Sequence, residues 1–202
     1  MARPPAQSDS PPLAVLPRGP HSLSREAIQA SQRARLLAAA IDVVATKGYA
    51  STVVADVIAR ASVSRRTLYE LFEDFEACLL EAFVVGGAGL VEEVSAAEGG
   101  VEGALRAYFR ALGGELGFAR VLLLEASAAG PAVLDAREEL HDRLAQALVP
   151  APTGGRRRAG LPNVTGRIVL GAANELAAGL LFRGRAAQLD DLVPLLVGIT
   201  ER

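Results

Sequence analysis

Residues 51–72 read Ser-Thr-Val-Val-Ala-Asp-Val-Ile-Ala-Arg-Ala-Ser-Val-Ser-Arg-Arg-Thr-Leu-Tyr-Glu-Leu-Phe. Two short amphipathic helices with a tight turn between them account for this pattern. Val54, Val57, Ile58 and Ala61 recur at helical spacing and give the first helix one apolar face. Thr52 precedes them as the expected N-cap, its hydroxyl accepting a backbone N–H that a helix start leaves unpaired. Ser62-Val63 makes the turn. Ser64 is placed to cap the second helix, whose apolar face runs through Leu68, Leu71 and Phe72. In a helix-turn-helix the second helix enters the DNA major groove with its N-terminal residues at base edges. Here those residues are Ser64, Arg65, Arg66 and Thr67, followed by Tyr69. Two guanidiniums and two hydroxyls suit phosphate and base contacts. The pattern alone leaves a second reading open, because paired helices also occur in proteins that never touch DNA.

Working outward, Ser24 is the expected cap of a first long helix, with Glu26 in its positively polarised first turn. Ile28, Leu37, Ala40, Ile41 and Val44 form its expected buried stripe, and Gly48 ends it. Tyr49 is expected to pack back onto this three-helix unit. A fourth helix is expected from Phe75 to about Ala97, with a kink or break at Gly86-Gly87-Ala88-Gly89. Further helices are expected over Val101–Leu116, Phe118–Ala128, Pro131–Val149 and Val164–Arg185. A last one, capped by Asp190 or Asp191, carries Pro194 in its first turns. Residues 1–22 read as a disordered, proline-rich tail. Arg18 and His21 at its end could reach a minor groove, although a solvated tail fits as well. Residues 150–162 read as a loop, and its Arg156-Arg157-Arg158 reads as a solvated charge run.

Composition bounds the function. The chain has 202 residues, is half hydrophobic and only 4% aromatic, and has a net charge of −2. The charge is uneven. Residues 1–66 carry nine Arg or Lys against four Asp or Glu, a surplus of +5, which leaves −7 for the remainder. A basic N-terminal part before an acidic body fits DNA contact at one end. The single cysteine, Cys78, excludes an internal disulfide and reads as a packing residue. No secretory leader is read, and the apolar run Val164–Phe182 is interrupted by Arg167, Asn174 and Glu175, so no membrane span is expected. A cytoplasmic protein follows as the expectation. The only histidines are His21 and His141, and neither a metal-ligand spacing nor a nucleophile elbow is present. No cofactor and no catalysis are expected. Asn163-Val164-Thr165 matches a glycosylation acceptor, which the lack of any secretion signal discounts.

Gly48-Tyr49, Thr52-x-Val54, Val57, Ala61-x-Val63-Ser64 and Thr67-x-Tyr69-x-x-Phe72 together resemble the N-terminal domain of the TetR family of transcriptional regulators. The resemblance runs from Leu36 to about Leu80. Leu16-Pro17-Arg18-Gly19 with Leu23-Ser24-Arg25-Glu26 is more weakly similar to an actinobacterial-type subgroup. Four positions depart from the family pattern. Ser62 stands where a turn glycine is usual, and Ile58 replaces a small residue. Leu71 stands where a phosphate-reaching histidine is common, and Phe75 where a basic residue begins the fourth helix. With Glu70, Glu73 and Asp74 nearby, these changes imply weak nonspecific DNA affinity.

The resemblance implies an all-α chain with three parts. A tail (1–22) precedes a helix-turn-helix DNA-binding domain (23–74) and a helical ligand-binding and dimerisation domain (75–202). It further implies a homodimer through the last two helices, about 164–185 and 191–201, with Gly171, Ala172, Ala178 and Gly179 allowing close approach. Such a dimer would read a palindromic double-stranded operator, most simply as a repressor. Arg65 and Arg66 would contact bases or phosphates, with Thr52, Ser64, Thr67 and Tyr69 on the backbone. A small apolar effector would occupy a cavity lined by Phe83, Tyr108, Phe109, Leu112, Phe118, Leu122 and Leu123, with Glu125 or Asn174 as polar contacts. The same residues could equally fill an ordinary core. Two rivals stand beside this reading: a helical enzyme, and a helical dimerisation module that has lost DNA binding.

Overall fold

The computed structural model describes residues 24–150 and 163–200, and among them every regular element is helical. The expected tail, with Arg18 and His21, and the Arg156-Arg157-Arg158 run lie outside the described residues. Helix α1 spans Arg25–Lys47 and begins as expected: Ser24 Oγ accepts from the Ala27 N–H at 3.1 Å. Leu36, Ala39, Ala40, Val43 and Val44 are its buried stripe. Ile28 is exposed instead, because the first turns of α1, residues 24–30, project beyond the core. Gly48 ends α1 at φ 82° and ψ 152°, a region open essentially to glycine alone.

A tight turn, Tyr49–Ser51, leads to α2 (Val54–Ala61) and α3 (Arg65–Leu71). The expected cap at Thr52 is corrected. The cap position is Val53, whose side chain has no acceptor. Asp56 serves this end by accepting from the Val53 N–H at 3.3 Å, and Lys47 pairs with Asp56 at 2.7 Å. Thr52 turns back and donates its hydroxyl to the Gly48 carbonyl at 2.8 Å.

Helix α4 runs unbroken over Phe75–Ser95, capped by Asp74, whose carboxylate accepts from the Ala77 N–H at 2.8 Å. The expected kink does not occur. A Cβ on Gly86 would stand 2.6 Å from the Phe118 ring, and one on Gly87 2.9 Å from Leu140. These glycines admit close neighbours, and the packing gained outweighs a propensity cost of about 1 kcal/mol each.

The remaining elements are α5 (Gly100–Gly114), α6 (Leu116–Arg120), α7 (Pro131–Leu148), α8 (Val164–Phe182) and α9 (Val193–Thr200). Helix α6 does not continue regularly to Ala128. It widens into a π turn, Val121–Glu125, and tightens into a 3₁₀ turn, Ala126–Ala128. Another 3₁₀ segment, Ala186–Leu192, contains Asp190 and Asp191 and precedes α9, so those residues do not cap it. Asn163 caps α8: Oδ1 accepts from the Gly166 N–H at 3.0 Å, while Nδ2 donates to Ala145 and Val149 carbonyls. Its amide nitrogen is thus already engaged.

Helices α1, α2 and α3 form a head. Helix α1 also packs on α4 and α6, and α4 packs most extensively on α7, which in turn supports α8. One hydrophobic core runs from Leu36 to Leu196. Cys78 is buried within it, and burial pushes its thiol up to about 12, as befits a packing residue. Helix α8 is long and apolar enough to cross a membrane by length and composition. One of its faces packs on α7, and it carries Arg167, Asn174 and Glu175.

Candidate nucleic-acid interface

The turn between α2 and α3 is set by Ser62, at φ 53° and ψ 49°. It is the one non-glycine residue at positive φ among the described residues. Its N–H reaches the Ala59 carbonyl at 3.2 Å, and the Val63 N–H reaches Ile58 at 3.1 Å. Arg35 of α1 donates to the Ala61 and Ser62 carbonyls at 2.8 and 3.1 Å. The long helix therefore holds the reversal in place, and the glycine usual here is replaced at the cost of local strain.

Ser64 caps α3 as expected. Its Oγ accepts from the Thr67 N–H at 3.0 Å and lies 2.8 Å from the Thr67 hydroxyl. Leu68 is fully buried and fixes which way α3 faces. Arg65, Arg66 and Tyr69 are consequently exposed together. Arg66 is 87% exposed and pairs along the helix with Glu70 at 2.7 Å. That pair is wet and exchangeable. Thr52 is engaged with Gly48, away from this helix start.

Arg33 was not legible as a site residue, because its partners lie 38 and 48 residues away. It donates to the last carbonyl of α3, Leu71, at 3.2 Å and through Nε to Glu81 of α4 at 2.6 Å. Its guanidinium also lies 4.5 Å from the centroid of the Phe72 ring. Thus Leu71, at a position where a phosphate-reaching group was absent from the sequence, offers its backbone to an internal clamp.

The head meets the body through α4 and α6. Arg120 Nε donates to the Ala45 carbonyl at 3.0 Å, and Tyr49 stacks with Phe75 at 6.3 Å between centroids. Glu125, expected as a polar contact in a cavity, lies at this junction instead. Its carboxylate accepts from the Tyr49 N–H at 2.9 Å. The π turn rotates it toward Gly48, where a Cβ would come within 3.4 Å of its oxygen.

The body holds a pocket of about 370 Å³ lined chiefly by α7 and α8. Of the nine residues expected to line an effector cavity, Leu123 and Asn174 line this pocket. Phe83, Tyr108, Phe109, Leu112, Phe118 and Leu122 are packed into the core. The lining adds polar groups that sequence reasoning missed: Arg137, Glu138, His141, Arg167 and Glu175. Buried Tyr108 donates its hydroxyl to Asn174 Oδ1, and Asn174 Nδ2 lies 3.3 Å from His141 Nε2. Burial, reinforced by Arg137, pushes the His141 imidazole down to about 4, so it is neutral at pH 7. Arg167 pairs with Glu138 at 2.6 Å, which holds that carboxyl below its usual range.

Residues 36–82 match the family model described as "Bacterial regulatory proteins, tetR family". Among curated proteins none matches the chain significantly. Among solved structures, the fold is similar to the fatty acid degradation regulator FadR from Bacillus halodurans. That pair has a TM-score of 0.66 and 19% identity, covering 83% of this chain and 95% of that one. The transcriptional regulator FadR from Bacillus subtilis in complex with stearoyl-CoA aligns with a TM-score of 0.65 and 20% identity, covering 81% and 97%. The TetR family transcriptional regulator PfmR from Thermus thermophilus aligns with a TM-score of 0.52 and 23% identity, covering 80% and 94%.

Proposed function

From the premise that this chain belongs to the tetR family of bacterial regulatory proteins, we propose that it is a ligand-responsive repressor that binds a palindromic operator as a homodimer. The observation that carries this reading is the Ser64-capped helix that exposes Arg65, Arg66 and Tyr69 together while burying Leu68. Arg65 and Arg66 face bases or phosphates; Ser64, Thr67 and Tyr69 order the backbone side of the contact. Thr52 takes a supporting role by closing the turn that leads into α2. Residues 23–74 act as the reader and 75–202 as the body, in the cytoplasm where operator DNA is accessible. The similar folds are those of regulators rather than enzymes, which favours a non-catalytic role.

The body dimerises through α8 and α9. Val164, Ile168, Leu176 and Phe182 of α8 and Leu195 of α9 are exposed, Phe182 at 81%. A lone subunit leaves this apolar surface in water, and a symmetric partner covers it. Two heads then meet half-sites one helical turn, or a multiple of it, apart. The stearoyl-CoA complex of a similarly folded regulator supports a small molecule as the signal, received in the body.

Fluorescence anisotropy with the DNA upstream of the gene tests this, alongside sedimentation of the free protein. A saturable, salt-sensitive complex from a dimer is expected. A monomer, or a dimer that shows no preference for that DNA over a random duplex, favours the rival sensor without DNA binding.

A further inference from the structure

We infer that the effector is a small carboxylate with a short apolar body, held in the α7–α8 pocket by the guanidinium groups of Arg137 and Arg167 and by His141. The inference rests on the reading of the chain as a ligand-responsive repressor and specifies the chemistry of its signal.

Size comes first. The 370 Å³ pocket lies at the small end of ligand sites. A long acyl chain on a nucleotide carrier would extend well beyond that space. The aromatic side chains that would surround such a chain, Phe83, Phe109 and Phe118, are packed in the core.

Charge decides the class. Glu138 is the one carboxylate shared by both guanidiniums, at 2.6 Å from Arg167 and 3.4 Å from Arg137. Asp142 lies 3.5 Å from Arg167 but is mostly exposed, so it neutralises little. Glu175 is also exposed. The two guanidiniums, 22% and 31% exposed, are less exposed than the Glu138 carboxylate at 48%, so the pocket favours an anion. Donor capacity points the same way. Arg137 makes only long bonds, both 3.4 Å, to the Leu122 carbonyl and Glu138. Arg167 Nη1 is buried without a partner among the described residues. A planar carboxylate accepts two parallel N–H bonds from such a fork.

His141 supplies orientation. With the Tyr108 hydroxyl on Asn174 Oδ1, the Asn174 amide donates to His141 Nε2. The imidazole proton then sits on Nδ1, which makes the ring a neutral donor. Glu138 lies 3.9 Å from that nitrogen, beyond hydrogen-bond distance, so the donor is open to a ligand oxygen. Leu123, Leu170 and Ala178 form the apolar wall for the ligand's body.

The test uses purified full-length protein and a panel of aliphatic and aromatic monocarboxylates of up to about a dozen non-hydrogen atoms. Each acid is measured beside its carboxamide, with stearoyl-CoA as a further arm, by thermal shift and calorimetry. At least one acid is expected to raise Tm and to bind tenfold or more tightly than its amide. Arg137→Gln is expected to weaken that acid tenfold or more, and Arg137→Lys to restore part of the loss. The acid–amide comparison on the unaltered protein needs no variant, so a misfolded variant does not void it. A silent panel, equal binding of acids and amides, or binding of stearoyl-CoA alone overturns the inference. Operator binding is followed in the same samples. If the operator binds while the panel is silent, the effector class is wrong and the repressor reading stands. If the operator does not bind, the repressor reading itself fails.

Discussion

The Glu125 carboxylate accepts a hydrogen bond from the backbone N–H of Tyr49 at 2.9 Å, across 76 residues of sequence. It ties the π turn of the body to the residue that opens the approach to α2. A hydrogen bond to a charged group contributes about 1.5–3 kcal/mol where it is shielded. This site is half-buried, so Glu125→Ala is expected to cost about 1.5 kcal/mol, with Glu125→Gln losing about half of that. Urea unfolding measures both. Equal stability of all three proteins would show that the contact contributes nothing.

Arg33 holds the C-terminal end of α3 through Leu71, Glu81 and the Phe72 ring. The Arg33 and Glu81 side chains are 40% and 31% exposed, so solvent screens the ion pair. Summed with the ring contact, Arg33→Met is expected to cost about 1–2 kcal/mol and to weaken operator binding. Arg33→Lys is not expected to restore stability, because an ammonium lacks the planar fork that serves three partners. Chemical denaturation with anisotropy on the same variants checks this.

Ser62 occupies the left-handed region that glycine enters freely. Ser62→Gly is expected to gain about 0.5–1 kcal/mol, and Ser62→Val to lose at least as much. A melting series decides it, and a lower Tm for the glycine variant would contradict the strain argument.

His141 makes stability depend on pH. Its folded value of about 4 lies below the ordinary 6.5, so the unfolded chain binds the extra proton first as pH falls. Stability is full above about pH 6.5 and declines toward pH 4, by about 3 kcal/mol at most. The groups facing it are Arg137, Glu138, Asp142, Arg167 and Asn174. Glu138, held low by Arg167, begins to lose stability only near the bottom of that window. Urea unfolding between pH 7.5 and 4.5 is expected to slope in the native protein and to flatten in His141→Gln.

Glu70 masks Arg66 along α3. Glu70→Gln is expected to tighten binding to any duplex and to steepen the salt dependence by up to about one unit. Anisotropy against salt concentration measures it. An unchanged slope would mean that Arg66 does not reach phosphate.

The head was readable because its signals are local. Ser24 and Ser64 cap the helices that follow them, and the spacing of Val57, Ala61 and Leu68 places them in the core. Thr52 misled by one residue, since a hydroxyl can cap a helix or close the preceding turn, and the choice depends on Asp56 and Lys47. The glycines of α4 read as a break because the rings and leucines that need their space, Phe118 and Leu140, are remote in sequence. Most of the pocket lining was illegible for the same reason. Leu123 and Asn174 were among the residues named, but Arg137, His141 and Arg167 join Asn174 around one pocket only after α7 and α8 pack together.

The central claim is that Arg65 and Arg66 present α3 to duplex DNA from a paired body. The most direct measurement is anisotropy of the upstream duplex with the native protein, Arg65→Ala, Arg66→Ala and the double variant at one fixed salt concentration. Each single change is expected to cost about 1–3 kcal/mol of binding, with the double variant reduced to nonspecific affinity. Native affinity retained by the double variant would contradict the account.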